Sequence, residues 1–277
     1  MPVQIIPIRF NFGGIVVSPE SSACGDTASA ISRVQNSPLF TTNVPWSDSG
    51  TPIGTTQFTD AFQRANFWRS VSTVSPNYHV MLQPVSTSAP VNIDVPLGIG
   101  AGLISNLACP QHPIGAIPSA FMDSVVQNVI QTQHISPATL PVFLTFDIQF
   151  TPQGFLGYHN ASGGQTFVVA SYTDPGLLGN NIADVHVLSH ELGEWVNNPL
   201  LVNKVPAWTT PATGCSNDLE VGDPLAQHNF TVVTPRFTYH IQELAYFSWF
   251  ARNVPSIAIN GRYSTESTFV APAPSCP

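Results

Sequence analysis

"DVHVLSHELGEWVNNP", Asp184 to Pro199, is the stretch on which the reading of this chain turns. Placed at about 100° per residue, it separates into two faces. Val185, Leu188, Leu192, Trp195 and Val196 fall on one arc, and His186, His190, Glu191, Glu194 and Asn197 fall on the other. The pattern predicts an amphipathic helix over 182–197. Asn181 and Asp184 have the spacing of a capping box, and Pro199 stops the helix at its far end. Gly193 is a costly residue in mid-helix, so it is expected to make room beside the polar arc for another backbone or a substrate.

Side chains at i, i+4 and i+8 cannot all bind one ion. His186 and Glu194 are separated by about 12 Å along the axis, whereas ligand bonds are about 2 Å. One pair a turn apart plus a ligand from elsewhere is workable. His190 with Glu194 leaves Glu191 directly after the first ligand, angled towards the open position, where H-E-x-x-H helices carry their general base. His186 with His190 offers better zinc ligands but has Val187 where the acid is needed. The first pair is preferred, with His186 nearby to support a ligand or touch substrate.

The remaining ligand has visible sources. Six of the 16 acidic residues lie between Asp184 and Asp223, and "NDLEVGDP" contributes Asp218, Glu220 and Asp223. Upstream, "FLGYHNASGG" carries His159, and "AQHNFT" holds His228 in reserve. His79, His112, His134 and His240 are isolated in sequence and read as surface or core histidines.

"LSHELGEWVNNP" followed by "LEVGDP" resembles the zincin metallopeptidases in a variant form, H-E-x-x-E…D-P…E-x-G-D. That form is associated with secreted bacterial proteins distantly similar to the plant phosphate-induced (EXORDIUM-like) family. "GYH" at Gly157–His159 and "QELAYFSWF" fit the same likeness, which covers roughly Gly157 to Pro224. The resemblance implies a zincin-like mixed sheet and a site made of His190, Glu191, Glu194, Glu220 and Asp223. Two departures stand out: Asn198 replaces an aspartate before the proline, and a glutamate replaces the second zincin histidine. Extra carboxylates lower the charge at the metal and weaken its activation of water.

Three readings follow. In a zinc endopeptidase, His190, Glu194 and Glu220 hold the ion and Asp223 orients a ligand. Glu191 is then the base, and His159 or His186 steadies the oxyanion. "TFVVASYT" would pair with an extended peptide as an edge strand. In a non-catalytic extracellular or cell-wall binding protein, Glu194, Glu220 and Asp223 hold structural calcium and His190 is a bystander. In the third, the same groups form a buried hydrogen-bond network without an ion.

The rest of the chain sets limits. Its 277 residues suffice for a sizeable core, expected as a single domain over 1–277 with a conceivable subdivision at 110–118. Apolar residues are 43% and charged ones 9%, yet Pro, Gly, Ser or Asn interrupts every apolar run before membrane-spanning length. A net charge of -8 with Lys204 as the one lysine argues against nucleic-acid or membrane partners. Cys24, Cys109, Cys215 and Cys276 lack C-x-x-C spacing, which leaves two disulfides, one of them stapling the tail, and an exported protein as the expectation.

Elsewhere the periodicity predicts strands at "VQIIPIRFNF", "YHVMLQPV", "TLPVFLTFDIQF" and "TFVVASYT". Helices are expected at "TDAFQRANFWRSV", capped by Thr59, and at "SAFMDSVVQNVIQTQ". "YHIQELAYFSWFARN" reads as a helix or a strand pair. Without regular β–α alternation, the class is α+β.

Overall fold

Two segments whose apolar residues run on without alternation become the middle of the main sheet. Leu140–Phe146 and Gln165–Tyr172 are buried at every position, as expected of strands covered on both faces. They pair in parallel, Val142 opposite Val168. Leu140–Phe146 also lies parallel to Val3–Phe12, with Ile5 opposite Val142. Beyond that, Val3–Phe12 takes Val85–Thr87 and Val91–Asp94 in parallel and Ile15–Val17 antiparallel. Gly157–Ser162 closes the other edge, antiparallel to Gln165–Tyr172. The computed structural model describes residues 1–75, 77–179, 181–210 and 214–276.

A three-stranded sheet (Ala101–Ser105, His112–Pro118, Ile148–Thr151) and three hairpins surround this seven-stranded sheet, and the class is α+β. His112–Pro118 is bonded on both sides within its sheet, and its Ile117 belongs to the buried core. The helix His186–Asn197 packs on Gln165–Tyr172, Gly157–Ser162, Thr238–Gln242 and the helix Phe58–Asn66. Two disulfides, Cys24–Cys109 and Cys215–Cys276, tie long irregular segments to this frame, the second holding the C-terminal tail to the hairpin of Gly214–Asp218. No helix among the described residues is long and apolar enough to cross a membrane.

Several expectations are corrected. The helix begins at His186 rather than 182, with no side-chain cap. Asp184 is committed elsewhere: it accepts from the backbone of Val185 and His240 and from the His240 ring. Thr59 lies inside the Phe58–Asn66 helix, whose N-cap is Gln57. "YHVMLQPV" forms no strand before Val85, because side chains take the place of a partner strand. Asp60 accepts from Val80 N–H, and Gln57 both accepts from Leu82 N–H and donates to its carbonyl.

"TFVVASYT" is an inner strand, so the free edge belongs to Gly157–Ser162 instead. "SAFMDSVVQNVIQTQ" is helical over Ser119–Thr132, burying Met122, Val125, Val126 and Val129. "YHIQELAYFSWFARN" divides into the strand Thr238–Gln242 and a four-residue helix, Phe247–Phe250. Trp249 and Phe250 pack edge-on against Trp208 in the core.

Candidate metal centre

The apolar arc of the His186–Asn197 helix is buried as the sequence predicts, but so is most of the polar arc. His186, Glu191, Glu194 and Asn197 are all buried, and only His190 and Val196 are partly exposed. Solvent is not what the polar face meets. Gly193 makes room for Leu244, whose Cδ1 lies 2.5 Å from where a Cβ would stand, rather than for a substrate. Asn197 donates to the Gly193 carbonyl and accepts from Asn66, so it takes no part in the acidic cluster.

His190 is held in one orientation. The Gln242 amide nitrogen donates to the Gly222 carbonyl at 2.7 Å, which turns its oxygen towards His190 Nδ1 at 2.9 Å. An oxygen acceptor requires Nδ1 to carry a proton, so Nε2 is the nitrogen left to take an ion in exchange for its own proton. Without an ion, burial opposes charge on the ring, but the facing Glu194 and Glu191 hold its pKa well above 6.5. Around Nε2 stand Glu194 Oε1 at 3.2 Å, Asp223 Oδ1 at 3.7 Å and Glu191 Oε1 at 4.0 Å. Bonds of about 2.0–2.2 Å in a tetrahedron place neighbouring ligand atoms about 3.3–3.6 Å apart, and the separations of Nε2 from Glu194 and Asp223 lie close to that range.

Glu194 binds the helix to the acidic loop. Its Oε1 accepts from Gly222 N–H at 3.1 Å and Asp223 N–H at 3.2 Å, while Oε2 faces His159 Nδ1 at 3.6 Å. Gly222 is required for this approach, since a Cβ there would come within 2.6 Å of His190 Nδ1. On the far side, His159 Nε2 donates to the Asn198 carbonyl, and its Nδ1 also lies 3.6 Å from Glu191 Oε2. Glu220 accepts from the Asn198 amide and turns Oε2 towards His159 at 3.8 Å, and that oxygen is buried without a hydrogen-bond partner. Asn198 therefore has a reason not to be aspartate: the neighbouring carboxylate needs a donor.

The predicted residues thus come together in two groups sharing Glu194: His190, Glu191 and Glu194 in one, His159, Glu194 and Glu220 in the other. The set His190, Glu194 and Glu220 is divided between them, because Glu220 lies behind Glu194 beside His159. His159 is buried beneath the carboxylates and does not line the cleft, so it is not placed to steady an oxyanion there. The cleft is a cavity of about 240 Å³ whose polar lining is His186, His190, Glu191, Asp223 and Gln242. His186 donates from Nε2 to the Ala226 carbonyl, leaving Nδ1 without a partner. Asp218 pairs with Lys204 on a hairpin, and His228 is exposed; neither joins the cluster.

Charge is out of balance here. Four carboxylates face two imidazoles, so the cluster stays negative even with both rings protonated. The lysine and arginine ion pairs among the described residues lie elsewhere. Burial and repulsion from Glu194 push Glu220 up to about 9 and Asp223 up to about 7. Burial raises Glu191 as well, against the pull of His190. Burial opposes charge on His159, yet its bonds to Glu191 and Glu194 raise it to about 10. Burial also disfavours a charged Glu194, but the two imidazoles beside it outweigh that and hold it ionised. Burial keeps His186 neutral, at about 4. Without a cation, such a site must keep protons on carboxylates at neutral pH.

Sequence reasoning missed Gln242, which fixes the orientation of the His190 ring from a strand 52 residues away, and no local signal marks it. It also passed over His112, which stands between Asp147 and Asp174. Comparison of the chain with family models, with curated proteins and with solved structures finds no match.

Proposed function

We propose that the chain is a secreted, zinc-dependent hydrolase of peptide bonds with a zincin-like arrangement of helix, edge strand and acidic loop. The observation that carries this reading is the placement of His190, whose Nδ1 is taken by Gln242 and whose Nε2 faces three carboxylates in an open cleft. His190 and Glu194 would hold zinc with Asp223 as the third ligand. Glu220 moves to the supporting position, which exchanges the roles expected for those two acids. When bound, the ion supplies Lewis-acid polarisation and makes water more acidic.

The chain's own groups do the rest. Glu191 is at the floor of the cleft, one residue from His190, with its pKa raised by burial towards the range of a working base. It takes a proton from water and passes it to the leaving amine. His159 sits between Glu191 and Glu194 from below and fixes both carboxylates, a positioning role. His186 forms part of the cleft wall, with its unpartnered Nδ1 buried. The free edge of Gly157–Ser162 begins at the cleft wall and suits an extended peptide as an added strand. Two disulfides accord with an oxidising, extracellular location.

The second reading, a non-catalytic extracellular binding protein with structural calcium, rests on the surplus of carboxylates at Glu194, Glu220 and Asp223. It gives His190 Nε2 no task, because calcium takes oxygen ligands. Metal analysis of the wild type, Glu191→Gln and His190→Ala, with a casein hydrolysis assay on each, separates the two. The enzyme reading expects Glu191→Gln to keep its zinc and lose hydrolysis, and His190→Ala to lose one equivalent of zinc together with hydrolysis. Calcium bound by the wild type, zinc content unchanged by His190→Ala and no hydrolysis would establish the binding reading.

A further inference from the structure

A second histidine–carboxylate cluster lies outside the cleft. His112 opens the strand His112–Pro118, Asp147 joins Leu140–Phe146 to Ile148–Thr151, and Asp174 follows Gln165–Tyr172. Their side chains are 6%, 0% and 0% exposed, so none of the three charges is screened by water. His112 Nε2 lies 2.5 Å from Asp147 Oδ2 and 3.1 Å from Asp174 Oδ2. One Nε2–H can serve only one of these carboxylates, and Asp147 takes it. Asp174 Oδ2 is left buried without a hydrogen-bond partner and aimed at a nitrogen that has no second proton to give.

The other oxygens are firmly placed. Asp147 Oδ1 accepts from Asp174 N–H at 2.8 Å, and Asp174 Oδ1 accepts from Cys24 N–H at 3.1 Å. Asp147 adopts a left-handed backbone, φ 47°, a strained conformation that persists where the surroundings over-determine it. The disulfide Cys24–Cys109 joins the residue that anchors Asp174 to the loop that leads into His112. Two carboxylates and one imidazolium leave a buried negative charge. Two carboxylates, one neutral imidazole and a divalent cation leave none.

We propose that His112 Nε2, Asp147 Oδ2 and Asp174 Oδ2 form a second cation site, which holds a zinc-class divalent ion and fastens the disulfide-linked loop to the main sheet. One imidazole with two carboxylates suits zinc better than calcium, which seldom accepts nitrogen. Loading exchanges the Nε2 proton for the ion and opens the 2.5 Å Nε2–Asp147 contact to the roughly 3.3 Å that two ligands of one ion need, so one proton leaves for each ion bound. The site is closed by its burial and is structural, in contrast to the open cleft.

Zinc chloride titrated into the metal-stripped protein tests the proposal independently of the function assigned to the cleft. The wild type is expected to bind one equivalent more than Asp174→Asn, whether or not the cleft cluster binds zinc. Nitrogen-resolved NMR of the wild type gives a second readout that does not depend on a variant folding. The His112 Nε2–H signal should disappear and the Nε2 shift move as this equivalent is added. Equal zinc content in folded wild type and Asp174→Asn, or a His112 ring unchanged in excess zinc, overturns the proposal.

Discussion

The molecule carries two clusters of histidine and carboxylate, and they differ in how the chain builds them. The cleft cluster takes His190, Glu191 and Glu194 from one helical turn and adds Asp223, Glu220 and His159 from a loop and an edge strand. The His112 cluster takes each of its three residues from the end of a different strand, and none is near another in sequence. The first opens into a cavity of about 240 Å³, and its Asp223 side chain is 46% exposed. The second is sealed. A site assembled on a helix with an open side is suited to turnover, and one locked between strand ends is suited to holding structure.

The sharpest way to break this contrast is at Glu191. Replacing it with Gln keeps the shape and removes the base, so peptide hydrolysis should fall on the order of 10²–10⁴-fold while zinc content stays unchanged. Undiminished hydrolysis would show that the open cluster does no acid–base work. The closed cluster should respond in stability instead. His112→Ala leaves Asp147 and Asp174 facing each other without a partner, a loss expected at about 3–5 kcal/mol in denaturant unfolding. A loss below about 1 kcal/mol would mean that the cluster fastens nothing.

A smaller effect is expected at Gly222, where every ligand survives. A methyl group there meets the His190 ring at 2.6 Å, so Gly222→Ala should displace the imidazole and weaken zinc binding about 10–100-fold. Calorimetric titration reads this directly, and unchanged affinity would place the ion away from His190.

The smallest effect is a slope with pH in the metal-free protein. Glu220 and Asp223 bind protons more tightly folded than at their ordinary values of 4.5 and 3.8. Their contribution is therefore full below those values and is lost as pH rises through about 9 and about 7. His159 acts in the same direction, its contribution being full below 6.5 and lost through about 10. His186 acts oppositely, contributing above 6.5 and losing that contribution as pH falls through about 4. Melting temperature should therefore decline from neutral to alkaline pH, and zinc should flatten the decline. An equal slope with and without zinc would separate the ion from these carboxylates.

How much of this was legible follows from the same contrast. The helix, its two faces, and the pairing of His190 with Glu194 are written at 3.6-residue spacing, so one sequence suffices to find them. The buried strands Leu140–Phe146 and Gln165–Tyr172 are legible as apolar runs, but which of them lies at an edge is not, because pairing is decided by the whole sheet. That Asp223 lies beside His190 and Glu220 beside His159 was hidden because both acids belong to one loop. Which of them reaches His190 depends on Gly222 and Asp223 donating backbone N–H groups to Glu194. His112 looked isolated because its partners arrive from strand ends 35 residues and more away. Asp184, placed by sequence as a cap, was taken by His240 from a distant strand.

The most direct test of the cleft as a metal site is the zinc content of the metal-stripped protein after dialysis against zinc. The wild type is to be compared with the double variant His190→Ala, Asp223→Asn, its fold checked by circular dichroism. One equivalent fewer in the folded variant is the predicted result. Equal zinc in both proteins would contradict the assignment of the ion to His190 and its facing acids.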